Sequence, residues 1–262
     1  MSISNTSRGR ISKLLSPALG FWLRSQTDRL DRLELDIVGK NRQILTGYVP
    51  KVSLAFEGAV YQALHFRQGW AIGENIRINL GQVIQGKPLQ ILEPITVTGA
   101  ILLEEADLKT SLNSPLLATA LKDFLVGWAD IPENGDRDEE QNRWEDWDIN
   151  WHDLEILAGE IALAGTLTAP DRATTSLSLR SGLEIVEGSQ LRLSPLAIEN
   201  AFFASTPTEF SFDLGSDVNL ETLSLSERKL SIKGEIVVQP STHPPAPSQE
   251  GESKRESATT NN

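Results

Sequence analysis

Leu33-Glu34-Leu35-Asp36-Ile37, followed by the turn-forming Gly39-Lys40-Asn41, decides the fold class. Apolar and acidic residues alternate, so an extended strand turns one greasy face and one wet face. A helix would scatter the same side chains around its circumference. The alternation continues downstream through Gln43–Tyr48, Val52–Phe56, Leu64–Phe66, Trp70–Ile72, Ile76–Leu80, Leu89–Leu92 and Ile95–Leu103, punctuated by glycine and proline. It returns after residue 148 in Ile149–Ile156, Ile161–Thr168, Thr174–Arg180, Gly182–Val186, Gln190–Leu193, Phe210–Leu214, Leu220–Leu225 and Lys229–Val238. Leu64–Gly73, Leu154–Gly165 and Leu223–Gly234 share one shape: strand, polar turn, strand, glycine. They read as hairpins of one long antiparallel meander, with a weak internal duplication across the acidic loop as the alternative.

Upstream the period is 3.6. Ile11, Leu14, Leu15, Ala18, Leu19, Trp22 and Leu23 make one apolar stripe. Ser16-Pro17 within it leaves two readings, a single bent helix or a turn feeding a helix from Pro17. A second helix is predicted from Ser114 as cap and Pro115 in the first turn, with Leu116, Leu117, Ala120, Leu121, Phe124, Leu125 and Trp128 on its apolar side. A shorter helical turn over Glu105–Leu112 precedes it.

The chain has 262 residues, no cysteine and a net charge of −12. A core of this size needs no disulfide, and thiolate metal sites and cysteine nucleophiles are excluded. Between Asp130 and Glu155 eleven acidic residues face only Arg137 and Arg143, so most of the negative charge sits in one stretch. Arg8, Arg10, Lys13, Arg24 and Arg29 make the first thirty residues basic. Nucleic acid calls for a broad basic face, which is lacking; a basic amphipathic N-terminus suits an anionic membrane surface. No apolar run is long enough for a spanning helix, and Leu14–Leu23 lacks a small-residue cleavage site after it. The expectation is a cytoplasmic, peripherally membrane-associated protein, with export as the alternative.

Catalytic groups do not converge. His65, His152 and His243 stand apart, and there is no phosphate loop or nucleophile elbow. Asp146, Asp148, His152 and Asp153 have the donors for a divalent cation, yet a solvated acidic rim is the better reading. Trp144, Trp147 and Trp151 fit either an interfacial belt or ordinary core. The expectations are no enzyme activity, no cofactor and no metal. Residues 1–10 read as a flexible basic terminus, 11–239 as one domain with an acidic loop at 130–146, and 240–262, rich in Pro, Ser, Glu and Thr, as a disordered tail.

Four segments carry a family resemblance. Ile11-Ser-Lys-Leu-Leu-Ser-Pro-Ala-Leu-Gly-Phe-Trp-Leu23, Asn75-Ile-Arg-Ile-Asn-Leu-Gly-Gln-Val-Ile-Gln-Gly-Lys-Pro-Leu-Gln-Ile-Leu-Glu-Pro94, Glu105-Ala-Asp-Leu-Lys-Thr-Ser-Leu-Asn-Ser-Pro-Leu-Leu117 and Leu223-Ser-Leu-Ser-Glu-Arg-Lys-Leu-Ser-Ile-Lys-Gly-Glu-Ile236 resemble the LmeA-like phospholipid-binding family, the second its cyanobacterial branch. The resemblance implies an α+β, β-rich fold: a long curved antiparallel sheet wrapped around amphipathic helices, tubular like bactericidal permeability-increasing proteins. It implies non-catalytic binding or transfer of phospholipid or glycolipid through an apolar groove. Leu117, Leu121, Phe124 and Leu125 would line that groove. Leu15, Leu19, Trp22 and Leu23 would line it or dip into the bilayer. Arg8, Arg10 and Lys13 would meet an anionic membrane surface. The alternative is a scaffold that docks a basic protein partner through the acidic loop and tail.

Overall fold

The computed structural model describes residues 10–129, 147–170, 173–200 and 208–240. Most of the acidic stretch, with Trp144 and Asp146, and the tail from residue 241, with His243, lie outside the described residues. So do Arg8 and the rest of residues 1–9.

Helix α1 (Arg10–Ser25) runs unbroken through Pro17, which settles the first of the open readings. Strands β1 (Arg29–Val38), β2 (Tyr48–Tyr61), β3 (Leu64–Arg77) and β4 (Ile95–Glu104) follow as a meander. Two short helices, α2 (Asn41–Leu45) and α3 (Leu80–Val83), sit in its connections. After β4 come α4 (Glu105–Ser111) and α5 (Pro115–Ala129). The cap expected at Ser114 is present: its hydroxyl accepts the Leu117 N–H at 3.3 Å. A second meander follows: β5 (Asp148–Ile156), β6 (Ile161–Thr168), β7 (Thr174–Val186), β8 (Gln190–Asn200) and β9 (Thr208–Asp213). The hairpin of β10 (Val218–Ser226) and β11 (Lys229–Val238) ends the described fold.

The protein is β-rich and antiparallel, as the alternation requires, but the strands do not form the one long sheet expected. They make two open sheets. One is six-stranded, ordered β1-β2-β3-β4-β11-β10, and the other five-stranded, ordered β5-β6-β7-β8-β9. The reason is partner choice: β4 pairs along its whole length with β11, Ile95 opposite Val238 and Glu104 opposite Lys229. With both sides of β4 taken, β5 starts a new sheet.

Four local expectations are corrected as well. Gln43–Tyr48 is helix α2 and then the start of β2, because Gly39 lies so close to Pro50 and Ile44 that the chain folds back over itself there. Ile76–Leu80 leaves β3 after Arg77 for α3, and Leu89–Leu92 keeps only one bridge, Ile78 to Ile91. Leu64–Gly73 is no hairpin but part of β3, and its Gly69 lies beneath the Phe56 ring. The actual turn is Gln62-Ala63, both with positive φ, the backbone of a two-residue type I′ hairpin. The other two hairpins form where expected, as β5–β6 and β10–β11.

Two cores hold these layers. The larger joins Leu108 of α4 and Leu112 just after it, Phe124, Leu125 and Trp128 of α5, the inward face of the five-stranded sheet, and Leu103 and Leu230 of the six-stranded one. Trp151 is buried in it and Trp147 packs against it, so both of these tryptophans serve as core. The smaller joins Ile37, Ile44, Val49, Ile76, Ile78, Leu80 and Ile95, with Leu19 of α1 against it.

Candidate lipid-binding site

Register fixes which side chains share a face, because residues directly opposite in an antiparallel pair project to the same side. Reading across the six-stranded sheet, Leu35 pairs with Leu54, Leu54 with Ala71, Ala71 with Gly99, Gly99 with Gly234 and Gly234 with Leu220. The next row is Leu33, Phe56, Gly69, Ile101, Ile232 and Leu223. The row on the other side is Ile37, Val52, Gly73, Val97, Ile236 and Val218. All eighteen of these positions are apolar or glycine, whereas the opposite face is mixed, carrying Arg32, Glu34, Ser53, Glu57, Gln68, Thr98, Ser231 and Lys233 together with Trp70, Ile72 and Leu102.

An apolar sheet face needs a cover, and here the two cores supply it from opposite ends of the strands. Ile101, Ile232, Leu223, Leu103 and Leu230 belong to or pack on the larger core. Leu35, Val52, Val97 and Val238 pack on the smaller. Between them Leu54, Phe56, Ala71 and Leu220 are half-buried, and Ile236 is 47 % exposed at the β10–β11 side. The middle of this band lacks side chains at Gly99 and Gly234 and has only a methyl at Ala71, so its floor is low. Val97 and Ile101 lie four residues apart, which makes the band about 13 Å wide along the strands. Five inter-strand spacings give it a length of about 24 Å.

Helix α1 lies along the β1 side of this face. A Cβ placed on Gly20 would stand 3.9 Å from Leu33, and Leu19 packs on the smaller core. Trp22 and Leu23 are half-buried on the same helix. The backbone of α1 is described at Arg10, Lys13 and Leu15, but their side chains are not. On α5, Phe124 and Leu125 are buried in the larger core, where the Phe124 ring meets Phe210 edge-on at 5.3 Å. Leu117 and Leu121 are half-buried at the margin of that core. The expected residues therefore divide between two helices at different places on the sheet. The sequence reading missed the floor, although its signal was there: apolar alternation in β2, β3, β4 and β11, with glycines falling on the apolar side.

Among the described residues the polar surface offers no comparable chemistry. A depression of about 510 Å³ on the outer face of the five-stranded sheet has Ala162, Ala164, Ser178 and Ala197 as its floor and Asp153, Glu155, Arg180 and Glu199 around them. Asp153 is engaged by the Lys109 ammonium at 3.0 Å. That hydrogen bond, with a second from the Leu154 N–H, holds its carboxyl below the usual carboxylate range and raises Lys109. Asp148 pairs with Thr168 and Asp153 with Ala164, well apart along the β5–β6 ladder, and among the described residues no group of three His, Asp or Glu is set to hold a metal. No helix among the described residues is long and apolar enough to cross a membrane.

Comparison with known proteins agrees with this apolar character. A family model described as LmeA-like phospholipid-binding matches residues 8–235, and the chain belongs to that family. No curated protein and no solved structure matches it. The matched span takes in both sheets and α1 to α5.

Proposed function

We propose that this member of the LmeA-like family binds a phospholipid or glycolipid without catalysis, laying acyl chain along the half-covered apolar face of the six-stranded sheet, and carries it at a membrane surface. The observation that carries the reading is a continuous apolar face whose middle is only half-buried between two cores. Leu54, Phe56, Ala71, Gly99 and Gly234 form the floor. Leu19, Trp22 and Leu23 of α1 form the wall beside β1. Leu117 and Leu121, with Phe124 and Leu125 behind them, back the wall at the opposite end of the strands. The dimensions of the band suit one extended chain, and eight methylenes removed from water there would contribute about 6 kcal/mol. In this reading Arg8, Arg10 and Lys13, which neighbour the apolar stripe in sequence, would meet anionic headgroups.

Filling the floor tests it. Ala71→Phe adds a ring in the middle of the band, at a strand position that accepts aromatic residues. The expected result is a folded protein, by circular dichroism and thermal unfolding, that has lost most of its co-purified lipid by native mass spectrometry. A folded Ala71→Phe protein with its full lipid load sinks the proposal.

A further inference from the structure

At one end of the six-stranded sheet, a tip formed by two segments stands out from the rest of this acidic protein. Residues 37–47 and 78–92 contain Lys40, Arg42 and Lys87 and no acidic residue, in a chain of net charge −12. The segments are tied together. Gly47 accepts the Ile78 N–H at 2.9 Å, its φ of +81° bringing that carbonyl into reach. The buried Asn79 donates to the Pro88 carbonyl at 2.9 Å and accepts the Gln90 N–H at 2.8 Å. Leu92 N–H closes on the Arg77 carbonyl at 2.8 Å. Helices α2 and α3 and the bridge at Ile91 are thus one braced unit around the smaller core.

This unit shows large apolar side chains to water. Leu45 is 58 % exposed, Ile84 72 % and Leu92 53 %. Leu45 and Leu92 each follow a residue that is in the smaller core or packs on it, Ile44 and Ile91, and Ile84 caps α3, so their exposure is set by a rigid scaffold. Lys40, Arg42 and Lys87 are exposed and make no ion pair among the described residues. Three carboxylates flank the segments: Glu74 on β3, bound by Lys51 at 3.0 Å, Asp36 before Ile37, and the exposed Glu93 after Leu92, which leaves the tip with a surplus of positive charge.

We propose that this tip is a membrane-docking surface: Leu45, Ile84 and Leu92 enter the headgroup–acyl boundary of an anionic bilayer while Lys40, Arg42 and Lys87 take its phosphates. Charge selects the occupant. A second copy of this acidic chain would bring its own basic tip against this one in a symmetric contact, and three cations without an ion pair among the described residues, together with three exposed apolar residues, match an anionic interface. The tip is built on the same small core that bounds the apolar band, through Leu35, Val52 and Val97, so docking would put one long side of that band at the bilayer. The inference deepens the lipid-binding reading and in that respect rests on it.

Vesicle flotation with full-length protein tests the tip separately from the band. Vesicles of phosphatidylcholine alone are compared with 7:3 phosphatidylcholine–phosphatidylglycerol, at low and high salt. Each cation near such a surface is worth about fivefold in partitioning, so K40S/R42S/K87S should bind the anionic vesicles about a hundredfold more weakly. L45S/I84S/L92S should lose flotation on them even at low salt. Both variants should keep the thermal midpoint and the co-purified lipid of the parent. Either variant floating like the parent overturns the proposal, as does equal flotation of the parent on neutral vesicles. A parent that is dimeric by light scattering, and monomeric once Leu45, Ile84 and Leu92 are changed, also overturns it in favour of a second copy. If the tip variants lose flotation while Ala71→Phe keeps its lipid, the docking surface stands and the band reading falls.

Discussion

Glu105 joins three segments that are far apart in the chain. Its carboxylate, 13 % exposed, accepts the Ile156 N–H at 3.0 Å and lies 3.6 Å from Lys109 and 3.8 Å from Arg228. Backbone bonds run alongside: Glu105 N–H to the Arg228 carbonyl and Arg228 N–H to the Ile156 carbonyl, both 2.9 Å. The β5–β6 and β10–β11 hairpins, one from each sheet, are thus fastened at the start of α4. Glu105→Ala leaves the Ile156 N–H without its acceptor and should cost about 1–3 kcal/mol. Glu105→Gln, which keeps a carbonyl oxygen there, should cost less; equal losses in urea unfolding would show that the hydrogen bond is not what matters. Ala63 offers the opposite case, a non-glycine residue at φ 60° whose N–H is held by Asp28 at 3.0 Å. Ala63→Gly should raise stability by about 1 kcal/mol, read from the same transitions. The Asp153 carboxyl is held low by Lys109, so the stability it lends is present above its unfolded value of 3.8 and is lost as pH falls through the lower folded value. Asp153→Asn should remove that part of the acid sensitivity, which unfolding curves on either side of pH 3.8 would reveal. None of these roles was visible in the sequence, because each partner is chosen by the tertiary fold.

Among the elements, α5 and α1 were legible and β3 was not. Ser114-Pro115 marks the start of α5 by local chemistry alone, a hydroxyl acceptor followed by a residue lacking the N–H that a first turn cannot use. The apolar side of that helix was equally plain, but what it faces was not. Phe124 meets Phe210 in the larger core while Leu121 stays at the margin. Phe124→Ala should therefore cost about 3–5 kcal/mol and Leu121→Gln much less, measured by urea unfolding. A Leu121→Gln loss as large as that of Phe124→Ala would place both residues in one closed core. In β3, Gly69 and Gly73 looked like punctuation, yet they lie within a fourteen-residue strand. A glycine ends a strand only when nothing nearby makes up for its missing side chain. At Gly69 the Phe56 ring of the neighbouring strand does so, and that pairing cannot be read from either segment alone.

For the whole molecule, alternation revealed strands and their two-faced character, and the family resemblance supplied lipid binding, but the division into two sheets was hidden. It depends on β4 preferring β11 over β5, a choice between distant segments of similar composition. The same pairing bears on how the protein is made. The first four strands and the whole five-stranded sheet can assemble from neighbours as they emerge, since each consecutive pair is joined by antiparallel contacts. The partner of β4 cannot arrive until Lys229–Val238 has been synthesised. At about 5–20 residues per second, that leaves an interval of roughly 6–25 seconds after β4 emerges. Throughout it, β4 presents an unpaired edge next to an apolar face, the combination most prone to capture a strand from another nascent chain. A ribosome that slows within that interval prolongs the exposure, so the yield of native protein should depend on the rate of translation between β4 and β11.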